Sequence, residues 1–428
     1  MQKIYSSSKL CLLIVLSTLS LKAQFVINGE FRPRFEYRHG YQTMADSGAS
    51  AGVFINQRTR LNIGYTFQKL KTYISIQDVR TWGSQSQQNT TDGLMSIHEA
   101  WAEYNFTKMF SVKAGRMEVV YDDQRMFGNS DWTQQGRSQD MLLLKFNDST
   151  FTAHAGFAFN QDKDQSSTTL YSISSNYKAL QYVWLNKKLK SLLASFIFVN
   201  VGMQSPITSY SLRCSQTFGT HLELKKGALA LIAKGYYQMG NNSSMKKISA
   251  YLAGVEANYN LSSGLNFGAG LEMLSGQSQT DTASSYTDVA HNFTTLYGTG
   301  HKFNGYMDYF YAGSSSGTAG LQDIYFRVKF KKEKYFASID PHIFLTASDI
   351  LDKTAFASSG KYTAMSGMLG TELDFTIGYT LQKNVSLQAG YSQMFATSTM
   401  EAIKTGDKDA LNNWAYLMLI IKPEFLKQ

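Results

Sequence analysis

Arginine is the residue type whose placement in this 428-residue chain points most directly to chemistry. There are eleven, and nine of them (Arg32, Arg34, Arg38, Arg58, Arg60, Arg80, Arg116, Arg125 and Arg137) precede residue 140. A guanidinium carries a rigid planar fork of donors that matches carboxylate and phosphate. Lysine is used differently, collecting at pairs such as Lys187-Lys188, Lys225-Lys226 and Lys331-Lys332 that read as solvated turns. Arginine crowded into the first third therefore reads as anion recognition. Glu30, Glu36, Asp78, Glu99, Glu103, Asp122, Asp123 and Asp140 lie in the same stretch. Some of the cations must be braced by them, because a buried charge left alone is costly.

Signals of catalysis are weak. Gly313-Ser314-Ser315-Ser316-Gly317 has nucleophile-elbow spacing but lies in a Gly/Ser-rich stretch, where low complexity explains it. His98-Glu99 opens a zincin-like string, yet Ala102 stands where the second histidine belongs. The seven histidines are scattered, and phosphate-loop and dinucleotide fingerprints are missing. Cys214 is the one cysteine beyond the leader, too few for a disulfide or a thiolate metal cluster. No enzyme activity, cofactor, metal or nucleic-acid partner is expected.

The elements that carry the arginines are strands. Phe25, Ile27, Gly29, Phe31, Phe35 and Tyr37 alternate with Asn28, Glu30, Arg32, Arg34, Glu36 and Arg38, and Ile55, Leu61, Ile63, Tyr65 and Phe67 oppose Asn56, Arg58, Arg60 and Asn62. Each is a strand with one apolar and one charged face. The period returns at Glu372–Tyr379, and helical periodicity is nowhere sustained. Pro33 cannot donate to a ladder, so a bulge or break is expected there.

Connections alternate between short turns, near 68–71, 107–109, 147–150, 186–190, 225–227, 260–264, 331–334 and 382–384, and longer polar segments, near 39–52, 83–93, 119–136, 161–178, 202–207, 240–246, 275–320, 347–366 and 397–411. Eight short and nine long connections join about eighteen strands, as in a transmembrane antiparallel β-barrel with short periplasmic turns and long extracellular loops. With 26 Tyr, 27 Phe, 33 Gly and 4 Pro the chain is aromatic-rich, yet its mean hydropathy is negative. Strands wet on one face and lipid-facing on the other give that balance. A soluble sandwich or propeller needs apolar inward faces, which the arginine pairs deny.

Residues 1–23 read as a signal peptide: Lys3 and Lys9, an apolar run from Leu10 to Leu21 too short to span a bilayer, and a small residue at Ala23. Cys11 lies inside that run, away from the cleavage point. Residues 24–428 then form the barrel, exported to the outer membrane of a Gram-negative bacterium. Outer-membrane lipid and the barrel assembly machinery are expected partners. The formal charge of +9 includes three leader lysines, so the mature balance leans weakly toward anionic partners. Many barrels close on a terminal aromatic residue; Phe425 stops three residues short of the end.

Gly29-Glu30-Phe31-Arg32-Pro33-Arg34-Phe35-Glu36-Tyr37-Arg38 resembles the opening strand of the alginate export family of outer-membrane porins. Gln57–Leu61, Gln77–Gly83, His98–Trp101, Gly115-Arg116, Tyr121–Gly128 and Tyr297–Asp308 are similar to further blocks of that family. The resemblance implies an eighteen-stranded barrel with an arginine-lined constriction that passes a polyuronate passively. By position it implies a cationic lining of Arg32, Arg34, Arg58, Arg60, Arg80, Arg116, Arg125 and Arg137, held by Asp78, Glu99, Glu103 and Asp140. Strand parity supports Arg32, Arg34, Arg58 and Arg60; Arg80 depends on a bulge in the third strand, and Arg125 on its loop folding inward. Tyr297, His301, Lys302 and Tyr306 belong either to a gate or to an outward loop. Other anionic sugars and sulfated or phosphorylated solutes fit the same lining. The alternatives are a loop-closed surface barrel that binds or braces, and an energised receptor, which would need an N-terminal plug where strand-like alternation already begins.

Overall fold

A computed structural model describes residues 23–89, 91–173, 176–204, 211–242, 244–310 and 319–427. Residues 1–22, all but the last of the expected leader, and the Gly/Ser stretch 313–317 lie outside the described residues. The barrel strands are β1 (Gln24–His39), β2 (Gly52–Phe67), β3 (Leu70–Thr81), β4 (Met95–Asn105), β5 (Phe110–Met117), β6 (Gln139–Asn147), β7 (Phe151–Phe159), β8 (Ala179–Leu189), β9 (Leu192–Gln204), β10 (Leu212–Lys226), β11 (Leu229–Asn241), β12 (Lys247–Asn260), β13 (Leu265–Leu274), β14 (Leu321–Lys332), β15 (Tyr335–Leu345), β16 (Met368–Gln382), β17 (Val385–Ala396) and β18 (Asn412–Ile421). Each pairs antiparallel with the next, and β18 pairs with β1, closing an eighteen-stranded barrel. Closure leaves no open edge, so every ladder hydrogen bond is made within the wall, as a bilayer demands.

Exposure is inverted relative to a water-soluble sheet. On β1 the charged residues Arg32, Arg34 and Glu36 are 4%, 3% and 0% exposed, while Phe35 is 41% exposed. Val255, Phe326 and Ile377 face outward in the same way. Alternation therefore sends aromatic and aliphatic side chains to lipid and charge to the lumen.

The break expected at Pro33 falls in one ladder only. β1 runs unbroken through Pro33, which sits in register opposite Gln57. The ladder to β18 instead lapses between Phe31 and Arg34 with its register kept, so the missing N–H falls where no bond is made. The chain end runs past Pro423 as a short strand, Glu424–Lys427, that pairs with Val26–Asn28, so Phe425 lies within the closing seam. The turns fall within a few residues of the expected places, for example at 68–69 and 383–384.

The apolar core lies inside the barrel, where loops pack against lumen-facing strand residues such as Leu180, Tyr182, Val199, Leu252 and Trp414. The 118–138 connection brings Val119, Tyr121, Met126 and Phe127 inward, and the 275–320 connection brings Phe293, Met307 and Tyr309. The two loops form a backbone ladder across the lumen: Gly128 N donates to Tyr297 O (2.9 Å), Tyr297 N to Met126 O (3.0 Å) and Thr299 N to Gln124 O (2.9 Å). Phe127 and Tyr297 pack at 5.5 Å between ring centroids. The described helices are short, four to seven residues, and lie in the long loops.

Candidate functional site

The β1–β2 register sets Arg32 opposite Arg58 and Glu30 opposite Arg60, all on the lumenal face. These buried guanidinium groups are satisfied mostly by the 131–135 segment of the inward loop. Arg32 donates to Asp131 O (2.8 Å), Thr133 O (3.1 Å) and Gln134 Oε1 (3.1 Å). Arg34 donates to Trp132 O (2.8 Å), Arg58 to Gln134 O (3.3 Å) and Arg60 to Gln135 O (3.2 Å). Gly136, at φ +66°, lets the loop press this closely, since a Cβ there would sit 2.8 Å from Arg60 Nη2.

Carboxylates complete the row. Glu30 and Asp131 each lie 2.7 Å from Arg58 Nη2, and Asp131 also reaches Arg32 at 3.4 Å. Burial works to raise the Asp131 carboxyl, but Arg58 and Arg32 outweigh it and hold it at about 2. Glu36 is shared by Arg34 (2.9 Å) and Arg38 (2.8 Å), two cations on one carboxylate. Arg34 also stacks on Trp132, 4.2 Å from the ring centre, and Trp132 stacks on His301 at 4.1 Å. Beside them lies a cavity of about 540 Å³ lined by Arg34, Arg38, Tyr41, Asn56, Trp132 and Gln134.

The other arginines of the expected lining go elsewhere. Arg80 stands opposite Gln57, on the strand face away from Arg58, because β2 and β3 pair without a slip. It is held there by Asp78 and Asp92. Arg116 and Asp140 pair at 2.9 Å on the outward parity of β5 and β6, both well exposed. Position in the motif placed Arg116 in the lumen, and parity places it on the outer face near the long-loop rim; Arg80, whose inward placement depended on a bulge, sits at that rim and also borders the cavity beside Arg34 and Trp132. Arg125 does fold inward, bonding Glu272 and Asn304 Oδ1 (2.8 Å). Arg137 clasps the second loop through Gly298 O (2.8 Å). Of the other expected braces, Glu99 accepts from Trp101 Nε1 and Glu103 from Lys145 and Ser111.

The 293–310 segment lies inside the barrel, not outward. Tyr297 and His301 make the contacts given above, Lys302 Nζ donates to Asp123 O (2.8 Å), and Tyr306 stacks on His301. Its anchor is a wall that sequence reading missed: Glu272, Asp323, Asp340, Glu372 and Asp374, all nearly fully buried. Glu372 Oε1 accepts from Met307 N (2.8 Å), Asp374 Oδ2 from Tyr306 N (3.1 Å) and Asp323 Oδ2 from Asn304 Nδ2 (3.1 Å). Gly305, at φ +82°, permits this, because a Cβ would lie 2.6 Å from Glu372 Oε1. Tyr41 adds a tie by donating to Asp308; burial and that carboxylate push its phenol well above the usual range, keeping it a donor. Alternation at Glu372 and Asp374 was the available signal; Asp131 and Trp132, on a loop, gave none.

A closed barrel with lipid-facing aromatics, a charged lumen and two loops folded into it defines an outer-membrane porin, seated in the outer membrane of a Gram-negative bacterium. The chain belongs to the alginate export family, whose model matches residues 24–413. Among solved structures it resembles the outer membrane protein OprD of Pseudomonas aeruginosa (11% identity, 94% of each chain, TM-score 0.63). OpdL (11%, 94% of this chain and 99% of that one, TM-score 0.62) and OccK8 (11%, 94% and 98%, TM-score 0.61) of the same organism are similar too. At that identity the likeness is one of fold. No curated protein matches the sequence.

Proposed function

We propose that this porin is an anion-selective passive channel whose substrate is an anionic saccharide of the uronate class, recognised along the β1–β2 arginine row. The observation that carries this reading is Asp131: Arg32 and Arg58 already hold a carboxylate presented from inside the lumen, flanked by a run of carbonyl acceptors. The 131–135 segment thus stands where the carboxylate and oxygen atoms of a uronate chain would lie. Arg34 and Arg38 share a single carboxylate, which leaves cationic excess beside Trp132 and Tyr41, aromatic faces suited to a sugar ring. Membership of the alginate export family supports the same substrate class. On this reading the leader, residues 1–23, is removed on export, and Tyr297, His301, Lys302 and Tyr306 form the movable half of a gate against Trp132. Liposome flux tests it: defined uronate oligomers should pass several-fold faster than neutral sugars of equal size, and equal rates would point to a general porin.

A second reading, a loop-closed barrel that binds or braces at the surface, is favoured by the ladder joining the two loops and by the Trp132–His301 stack. Single-channel recording separates them, since a closed barrel gives no ohmic step.

A further inference from the structure

We propose that His98, Glu99 and Glu118 form a binding site for a late first-row divalent cation, with Zn²⁺ as the reference ion, at the root of the 118–138 loop. One nitrogen and two carboxylate oxygens from these residues lie within 4.8 Å of one another. Metal–ligand bonds of roughly 2.0–2.2 Å put ligand atoms about 3–3.5 Å apart, so shifts of about an ångström close the set around an ion. Consecutive strand residues normally point to opposite faces. Here the β3–β4 register slips between Ser75 and Ile76, leaving His98 as an extra residue, so that His98 and Glu99 both turn into the lumen. Bulges of this kind re-aim side chains at functional sites.

Each ligand already has an outer partner of the kind metal ligands use. With Nε2 on the ion, His98 Nδ1 carries the proton toward Ser138 Oγ, 3.4 Å away. Glu118 Oε2 accepts from Asn129 Nδ2 (2.9 Å), and Glu99 Oε2 accepts from Glu118 N (2.9 Å) and Trp101 Nε1 (3.1 Å). At present His98 Nε2 bridges directly to Glu118 Oε1 at 2.7 Å, the contact an ion would enter. Two cations are near: Arg60 Nη1 lies 3.9 Å from Glu118, its other nitrogens taken by Gln77 and Gln135, and Lys113 sits over the Trp101 ring at 3.7 Å. One histidine and two carboxylates suit zinc and its neighbours, with a position left for water. Since Glu118 and Asn129 belong to the loop and His98 and Glu99 to the wall, the ion would fasten the loop that covers the arginine row.

The test does not depend on what the channel carries. Full-length barrel, folded in detergent and stripped with chelator, is titrated with ZnCl₂ by calorimetry. One saturable equivalent is expected, weakened at least tenfold in His98→Ala and in Glu118→Gln, with heat-modifiable gel migration reporting that each variant still folds. The conservative Glu99→Gln gives a third reading, expected to weaken binding in the same direction. No saturable uptake by the unaltered protein, or the same affinity in His98→Ala and Glu118→Gln, overturns the site.

Discussion

Two walls of the lumen bury charge of opposite sign, and both spend it on holding a loop. On β1 and β2 the arginines donate to backbone carbonyls of 131–135. Around β13–β16 the carboxylates accept from backbone N–H groups of 306 and 307 and from Asn304. The chemistry of each wall fixes which half of the peptide group it can grip, since guanidinium only donates and ionised carboxylate only accepts. The walls differ in how the charge is met. On the acidic wall Arg125 and Lys234 meet Glu272, Arg327 meets Asp340 and His342 meets Asp323, while Glu372 and Asp374 are held by the backbone amides of 307 and 306. The arginine wall has two guanidinium groups on the single carboxylate of Glu36, and it is there that the proposed channel would meet an anion.

The comparison breaks most severely at the shared carboxylates. Glu36→Gln strands two partnered cations beside a fully buried site and should cost about 3–5 kcal/mol, measured by urea unfolding of the detergent-folded barrel. Gly305→Ala forces a side chain into a left-handed position against Glu372; a loss of about 1–3 kcal/mol is expected, together with faster proteolysis within 293–310. A stability equal to the unaltered protein would mean that the acidic wall does not anchor this loop. Asp131→Asn is the milder probe. It removes the carboxylate that occupies Arg32 and Arg58, and should raise the affinity of a uronate oligomer several-fold, read as current block at lower concentration.

The pH dependence follows from the same residue. Asp131 is held below its usual value, at about 2, so its hold on the arginines is complete above about pH 4 and is lost as pH falls through about 2. Loop-dependent current should stay flat between pH 7 and 5 and change only in strong acid; a transition near neutrality would exclude Asp131 as its origin.

Strand number, alternation and the inward placement of Arg32, Arg34, Arg58 and Arg60 were legible because period-two patterning ties each residue to a face. Arg80 and Arg116 were not, because a motif gives position along the chain without giving parity. The acidic wall was hidden by distance: its residues are spread from 272 to 374, one or two per strand, and only barrel closure brings them together. Asp131 and Trp132 were hidden for another reason. No periodicity governs a loop, and the same residues pointing outward would read identically.

Reversal potential across a planar bilayer under a KCl gradient measures the surplus on the arginine wall directly. The unaltered barrel should prefer chloride, and Arg34→Ala with Arg38→Ala should cut that preference several-fold while leaving a stable conductance step. A preference that survives both substitutions unchanged would contradict anion recognition by this wall.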